Sequence, residues 1–146
     1  MNYFLQRGIR TQYTRIEITL AAARETKFNQ KLPSDIGIIF GLNTLATGVN
    51  LSNAAIITVA NLNDLYLTIK DSSRLYIDGL RLTELCFEDE ASQGRNAMKY
   101  LRVHIPRISN LDQSYISDPT AAVSAVVVLG LFYVPVMDVE KMTLAV

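Results

Sequence analysis

The stretch AAVSAVVVLGLFYVPV, residues 121–136, is the most apolar run in the chain and decides its fold class. A membrane-spanning helix needs about 20 apolar residues, with basic or aromatic residues gathered at the two interfaces. This run is interrupted by Ser124, Gly130 and Pro135, and it is rich in valine, a stiff residue that favours strands. A strand buried on both faces also reads as continuous apolar sequence. We therefore expect one long strand bent at Gly130, or two shorter strands, in place of a spanning helix.

Upstream of this run the dominant hydrophobic period is two residues, which is typical of half-buried strands. In RIEITL, residues 15–20, three apolar side chains alternate with polar ones. The same reasoning predicts strands in ETKFNQKL (25–32), DIGIIFGLNTLA (35–46), NAAIITVA (53–60), NDLYLTIK (63–70), SRLYIDGLRLTELCF (73–87) and KYLRVHI (99–105). Asp78-Gly79 indicates a hairpin turn. Pro106 is expected to end the last run or to place it at a sheet edge.

The predicted strands follow one another at intervals of roughly eight to twelve residues, which is typical of a β-sandwich or barrel. At 146 residues the chain is expected to form one domain with an ordinary core. We divide it into an N-terminal arm, residues 1–12, a β-sandwich domain, residues 13–137, and a C-terminal tail, residues 138–146. The predicted fold is an all-β antiparallel sandwich.

Composition limits the partners that the chain can attract. Fourteen basic and fourteen acidic residues cancel, so no overall field favours nucleic acid or an anionic membrane. The hydrophobic fraction is 49% and the charged fraction 19%, which favours a thick core or a surface partly covered by other subunits. One cysteine excludes an internal disulfide, and the N-terminal apolar stretch is too short for a secretory signal. We expect synthesis in the host cytoplasm.

The residues that most often carry catalysis or bind metal do not form a recognised pattern. His104 lies on the polar side of its predicted strand, near Arg102 and Arg107, which disfavour its charged form. Cys86 is flanked by apolar residues and by acids, which indicates a core thiol of low reactivity. The acidic run at residues 88–90 lacks the ligand spacing of a calcium loop. We expect no enzymatic activity, no cofactor and no metal site.

The N-terminal arm has the clearest need for a partner surface. Ordering it alone would cost conformational entropy, so its aromatic, apolar and basic side chains are expected to dock on its own sheet or on a neighbouring copy. The predicted subunit contacts are Tyr3, Phe4, Leu5, Arg7 and Arg10. Such an arm could instead lie along the phosphates of a nucleic acid, which need only Lys and Arg within reach.

Sugar binding commonly relies on aromatic platforms, and this chain has no Trp. Tyr66, Tyr76 and Tyr100 could take that part, but the sequence does not bring them together. The sequence therefore leaves a sugar site open without locating one.

The strand series resembles the small single jelly-roll proteins of icosahedral virus capsids, in particular the vertex (penton) proteins of tailless bacteriophages. The resemblance runs from RIEITL (15–20) through NDLYLTIK (63–70) and SRLYIDGLRLTEL (73–85) to AVVVLGLFYV (125–134), most of the chain, as a pattern of strand lengths and turns without a diagnostic motif. It implies a jelly roll, an eight-stranded sandwich of two sheets. It also implies five copies around a vertex that contact a major capsid protein through loops and termini.

These observations predict a structural, self-associating subunit of a viral capsid, a vertex or minor capsid protein located in the virion. One alternative is a β-sandwich binding module of a phage fibre or tail that recognises a sugar or a protein. A second alternative is a membrane-linked virion subunit that uses the valine-rich run.

Overall fold

Eight strands, two short helical segments and a 3₁₀ turn make up the regular structure of the described residues. The computed structural model describes residues 10–28, 34–47, 55–71, 74–86, 98–106 and 113–139. The strands are β1 (Gln12–Thr19), β2 (Glu25–Lys27), β3 (Ile36–Leu45), β4 (Tyr66–Lys70), β5 (Leu75–Arg81), β6 (Lys99–Pro106), β7 (Tyr115–Ser117) and β8 (Val126–Pro135). Helix α1 (Val59–Leu62) precedes β4, and the 3₁₀ turn (Leu82–Glu84) follows β5. The chain is mostly β, as predicted.

The strands form two antiparallel sheets whose orders follow one rule. Sheet A has the order β1-β8-β3-β6, and sheet B has the order β2-β7-β4-β5. In four of the ladders the two strand numbers add up to nine: β1–β8, β2–β7, β3–β6 and β4–β5. The chain therefore runs as one long antiparallel ribbon that closes at the β4–β5 hairpin. Two further ladders, β3–β8 and β4–β7, join segments of this ribbon within each sheet.

The main core contains apolar side chains from both sheets. Ile16 and Ile18 of β1 are buried there, as the alternation in RIEITL predicts. Leu67 and Ile69 of β4 lie in the same cluster, from the other sheet. Burial between two four-stranded sheets is the arrangement that an all-β antiparallel sandwich requires. The prediction of this fold class is confirmed.

The valine-rich run forms β8, a single strand hydrogen-bonded on both sides, to β1 and to β3. Its two faces contribute to different clusters. Leu129 and Leu131 lie in the main core, whereas Val134 packs with Phe40 in a second, smaller cluster. The prediction of a strand buried on both faces is confirmed. Within the described ranges, no helix combines the length and the hydropathy needed to cross a membrane.

Gly130 allows a close approach between strands. The register between β8 and β1 is regular through Gly130, and the irregularities of sheet A fall on β3 instead. Gly130 lies opposite Asn43 of β3 and Arg15 of β1. A Cβ atom added to Gly130 would collide with Asn43 Oδ1 and with the Tyr13 hydroxyl. These two polar groups therefore fill the space that a side chain at position 130 would need.

The described part of NAAIITVA, residues 55–60, does not form the predicted strand. In its described part, Ile56 and Thr58 make isolated bridges to Val126 and Thr47, and α1 begins at Val59. Its backbone hydrogen-bonds the end of β3 and the start of β8 at single residues, so no ladder develops. β-branched residues favour an extended backbone, but the pairing partners decide whether an extended segment becomes a strand.

Of the predicted strand ETKFNQKL only residues 25–28 are described: β2 covers Glu25–Lys27, and the buried Phe28 follows it. The alanine turn before it is present, and Ala22 has a positive φ of 55°. β1 already includes Gln12, and a helical turn at residues 136–139 follows β8 directly.

Asp118 fixes the loop that leads into β8. Its carboxylate accepts hydrogen bonds from the backbone N–H groups of Ala122 and Val123, at 3.0 and 2.9 Å, and from Thr120 Oγ1 at 3.0 Å. The residue is 1% exposed. Burial alone raises the pKa of Asp118, but the hydrogen bonds from Val123, Thr120 and Ala122 outweigh it and bring the pKa below its usual value.

Because its folded pKa is depressed, the Asp118 carboxylate stabilises the fold above its unfolded pKa of about 3.9 and loses this contribution as the pH falls through the folded value. We expect Asp118→Asn to lower the free energy of unfolding at pH 7 and to lower it less near pH 3, which lies below the unfolded pKa. Urea unfolding of both proteins at the two pH values measures this. An equal deficit at both values would show that Asp118 acts through shape alone.

Candidate functional site: a groove lined by tyrosines

An open groove of about 710 Å³ lies where the edge strands of the two sheets meet. β5 is an edge strand of sheet B and β6 is an edge strand of sheet A, and both contribute side chains to the groove. Its volume lies within the range of about 300–1,000 Å³ that small-molecule sites occupy. The groove is the candidate site of the described residues because aromatic rings and charged groups both line it.

A bulge in β5 shapes one wall of the groove. β5 continues as one strand through Asp78 and Gly79, so the predicted hairpin turn at this dipeptide is wrong. The two residues together lie opposite the single residue Thr68 of β4, which makes a β-bulge. Gly79 has a positive φ of 65°, and its N–H donates to Thr68 Oγ1 at 3.3 Å. The hairpin closes instead between Asp71 and Arg74, where the Asp71 N–H donates to the Arg74 carbonyl at 2.9 Å. Bulges of this kind re-aim side chains beside functional sites.

The bulge gives the groove an apolar floor. Ile77 and Leu80 are three residues apart, so regular alternation would place them on opposite faces of β5. With the extra residue between them, both pack against the main core, and both line the groove. Leu101 of β6 belongs to the same core and lines the groove from the other sheet. The floor is therefore the exposed margin of the core itself.

Three tyrosines from three strands line the groove: Tyr66 of β4, Tyr76 of β5 and Tyr100 of β6. These are the residues that the sequence offers as an aromatic platform without bringing them together. The Arg81 Nη2 donates to the Tyr66 hydroxyl at 3.4 Å, and its guanidinium carbon lies 5.7 Å from the centre of the Tyr66 ring. Arg81 and Tyr66 face each other in the β4–β5 ladder, which explains their contact.

The Tyr76 ring is held by the hairpin turn. Its hydroxyl donates to Asp71 Oδ2 at 3.4 Å, and the guanidinium carbon of Arg74 lies 5.3 Å from the ring centre. Burial, together with the negative charge of Asp71, raises the pKa of Tyr76 above its usual value. Tyr76 therefore keeps its hydroxyl proton at neutral pH and remains a hydrogen-bond donor.

Tyr100 is the most open of the three rings, with 48% of its surface exposed. Its hydroxyl lies 3.1 Å from His104 Nε2, and the two rings meet edge to face with centres 5.6 Å apart. Burial lowers the pKa of His104, which is therefore neutral at pH 7. The sequence predicts this direction from Arg102 and Arg107, whose side chains lie outside the described part; in the structure the cause is burial.

Charged side chains of both signs line the groove. Asp78 and Glu84 supply carboxylates, while Arg81 and Lys99 supply cationic donors. These four formal charges cancel. Among the described residues, the lining therefore offers both hydrogen-bond donors and acceptors, with no excess of either charge.

Of the predicted arm contacts, only Arg10 lies within the described residues; Tyr3, Phe4, Leu5 and Arg7 lie outside them. Arg10 Nε forms an ion pair with Asp138 Oδ2 at 2.9 Å, and the Arg10 backbone N–H donates to the same oxygen at 3.3 Å. The Asp138 side chain is 3% exposed, whereas that of Arg10 is 57% exposed. This terminal ion pair joins the end of the arm to the first residue of the tail.

The remaining sequence candidates contribute little to a site. Cys86 is half-buried and packs against the main core. Among the residues that the structure describes, no group of three His, Cys, Asp or Glu side chains could hold a metal ion. The acidic run at residues 88–90 lies outside these residues.

Comparison with known proteins finds no matching family model, no matching curated protein and no matching solved structure. The functional argument for this chain therefore rests on its topology and on the chemistry of its surface.

Proposed function

We propose that this chain is a structural, self-associating subunit of a viral capsid, a vertex or minor capsid protein, and that its sandwich is a jelly roll. The ladder rule carries this proposal. A ribbon in which β1 pairs with β8, β2 with β7, β3 with β6 and β4 with β5 gives a jelly roll when it wraps into two four-stranded sheets. This fold of eight strands and two Greek keys is typical of viral capsid domains. The strand-pattern resemblance to jelly-roll capsid proteins supports the same function.

In this proposal the mechanism is burial of surface between copies. Five copies around a vertex would form a closed ring in which each contact is repeated, and about 1,600 Å² of buried surface suffices for a specific interface. Val136 and Met137 are 40% and 77% exposed, and they adjoin the terminal ion pair. Apolar surface at the point where the arm enters and the tail leaves supports contacts through the termini. The partners would be copies of the chain and a major capsid protein of the virion.

Native mass spectrometry of the purified full chain tests this function. We expect a discrete ring, with a pentamer as the main species. A variant with Tyr3→Ser, Phe4→Ser and Leu5→Ser should shift the protein to the monomer while keeping its β-rich circular dichroism, because only residues of the arm are changed.

The matched control carries Asn2→Ser and Gln6→Ser, which change polar residues of the same arm, and it should keep the ring. A full chain that stays monomeric at high protein concentration would overturn the proposal, whereas a ring that the apolar arm variant leaves intact would overturn the predicted arm contacts.

The groove favours a second function, that of a binding module at a fibre or tail. Three fixed tyrosines beside charged groups of both signs support ligand recognition on the same sandwich. A binding module would remain monomeric, and its ligand would raise its melting temperature by mass action. Oligomer size and ligand-dependent stabilisation therefore separate the two functions.

A further inference from the structure

We infer that the groove between β5 and β6 binds a neutral oligosaccharide, whose pyranose rings pack on Tyr66, Tyr76 and Tyr100. This inference names the ligand class of the second function above, and it does not depend on the shell function. The groove is built by a single chain, so the site exists whether or not copies associate.

The aromatic part of the groove suits a ligand with flat apolar faces and polar edges. A pyranose ring has such faces, formed by its C–H groups, and a tyrosine ring offers a matching surface at low conformational cost. In the structure each of the three rings is already oriented by a neighbour: Tyr66 by Arg81, Tyr76 by Asp71 and Arg74, and Tyr100 by His104. Rings that are fixed before binding lose little freedom on binding, which raises affinity.

The polar part of the groove matches the hydroxyl groups of a sugar. Each hydroxyl both donates and accepts, and the groove presents the acceptors Asp78 and Glu84 beside the donors Arg81 and Lys99. A nucleic acid would instead need an excess of cationic groups for its phosphates. A purely apolar ligand would strip water from four charged groups without replacing their hydrogen bonds. The balance of charge thus favours a neutral, hydroxyl-rich ligand.

The strand edges at the groove are poorly suited to an added peptide strand. Pairing with the edge of β5 would meet the bulge at Asp78 and Gly79, and bulges of this kind protect edges from strand addition. β6 ends at Pro106, which has no N–H to donate. Recognition through side chains, as in sugar binding, is the mode that the groove supports.

Saturation-transfer NMR on the full chain tests the inference, with maltohexaose, cellohexaose and N-acetylchitohexaose as probes and a thymidine decanucleotide as the competing class. We expect transfer to at least one of the three oligosaccharides and none to the decanucleotide. The chain has seven Tyr and no Trp, so a change in tyrosine fluorescence gives the affinity for the same probe.

Two substitutions at one position and one elsewhere make the test specific to the groove. Tyr100→Ala should weaken binding at least tenfold, whereas Tyr100→Phe, which keeps the ring, should retain most of the affinity. Tyr115→Ala removes a half-buried tyrosine of β7 that does not line the groove, and it should leave affinity unchanged.

The inference is overturned if none of the three oligosaccharides binds, if Tyr100→Ala leaves their affinity unchanged, or if the decanucleotide binds in their place. None of these results bears on the ring in native mass spectrometry, so a failure here is distinct from a failure of the shell proposal.

Discussion

Replacing Leu129 with alanine should lower the free energy of unfolding by about 2–5 kcal/mol, the range for a large-to-small change in a packed core. Leu129 lies in the middle of β8, is 0% exposed and belongs to the main core. The substitution leaves a cavity between the two sheets, and β8 cannot move to fill it because β1 and β3 hold it on both sides. Urea unfolding followed by circular dichroism measures the change.

The matched control is Leu75→Ala, the same substitution at a side chain that is 52% exposed. We expect this control to change stability by less than about 0.5 kcal/mol, as surface substitutions usually do. A deficit for Leu129→Ala as small as that of the control would contradict the burial of β8 between strands and the sandwich built on it.

Gly130→Ala should lower the free energy of unfolding by about 1–3 kcal/mol, the usual cost of overpacking a close-packed site. The added methyl group would meet Asn43 Oδ1 and the Tyr13 ring and hydroxyl. Tyr13 lies half-buried on the edge strand β1 and can swing aside, but Asn43 is 1% exposed in the centre of the sheet. The side-chain oxygen Oδ1 of Asn43 is therefore the atom that opposes the added methyl group.

A double-mutant cycle identifies this cause. The variant with both Gly130→Ala and Asn43→Ala should be more stable than the sum of the two single deficits predicts, because Asn43→Ala removes the colliding atom. Gly79→Ala provides a contrast, since no heavy atom lies within 4 Å of its added Cβ and only its positive φ opposes the change. Strict additivity of the two substitutions at positions 130 and 43 would rule out the collision.

Strands with one buried face, or with two, were predictable from the sequence. In β1 and β4 the alternation of apolar and polar residues records which side faces the core. In β8 the continuous apolar run records burial on both sides, where the main core and the second cluster lie. These patterns can be read from the segment alone, because the burial of each position is reflected in whether its own residue is apolar or polar.

The errors arose where the outcome depends on a distant partner. Asp78-Gly79 supplies a positive φ, which a hairpin turn and a bulge both require, and the pairing of β5 with β4 decides between them. The groove was hidden for the same reason. Tyr66 and Tyr76 reach one groove because β4 and β5 pair, and Tyr100 lines it from the other sheet. No local signal in the sequence records the distance between the edges of two sheets.

The ladder rule also sets the order in which the chain can acquire its structure during translation. Gln12 and Tyr133 face each other in the β1–β8 ladder and are 121 residues apart. At about 5–20 residues per second, the ribosome needs roughly 6–24 s to deliver the second partner after the first. Throughout that interval β1 lacks its pairing strand β8, and its apolar face is accessible to chaperones or to neighbouring nascent chains. The β4–β5 hairpin, whose partners are close in sequence, can close long before the outermost ladder does.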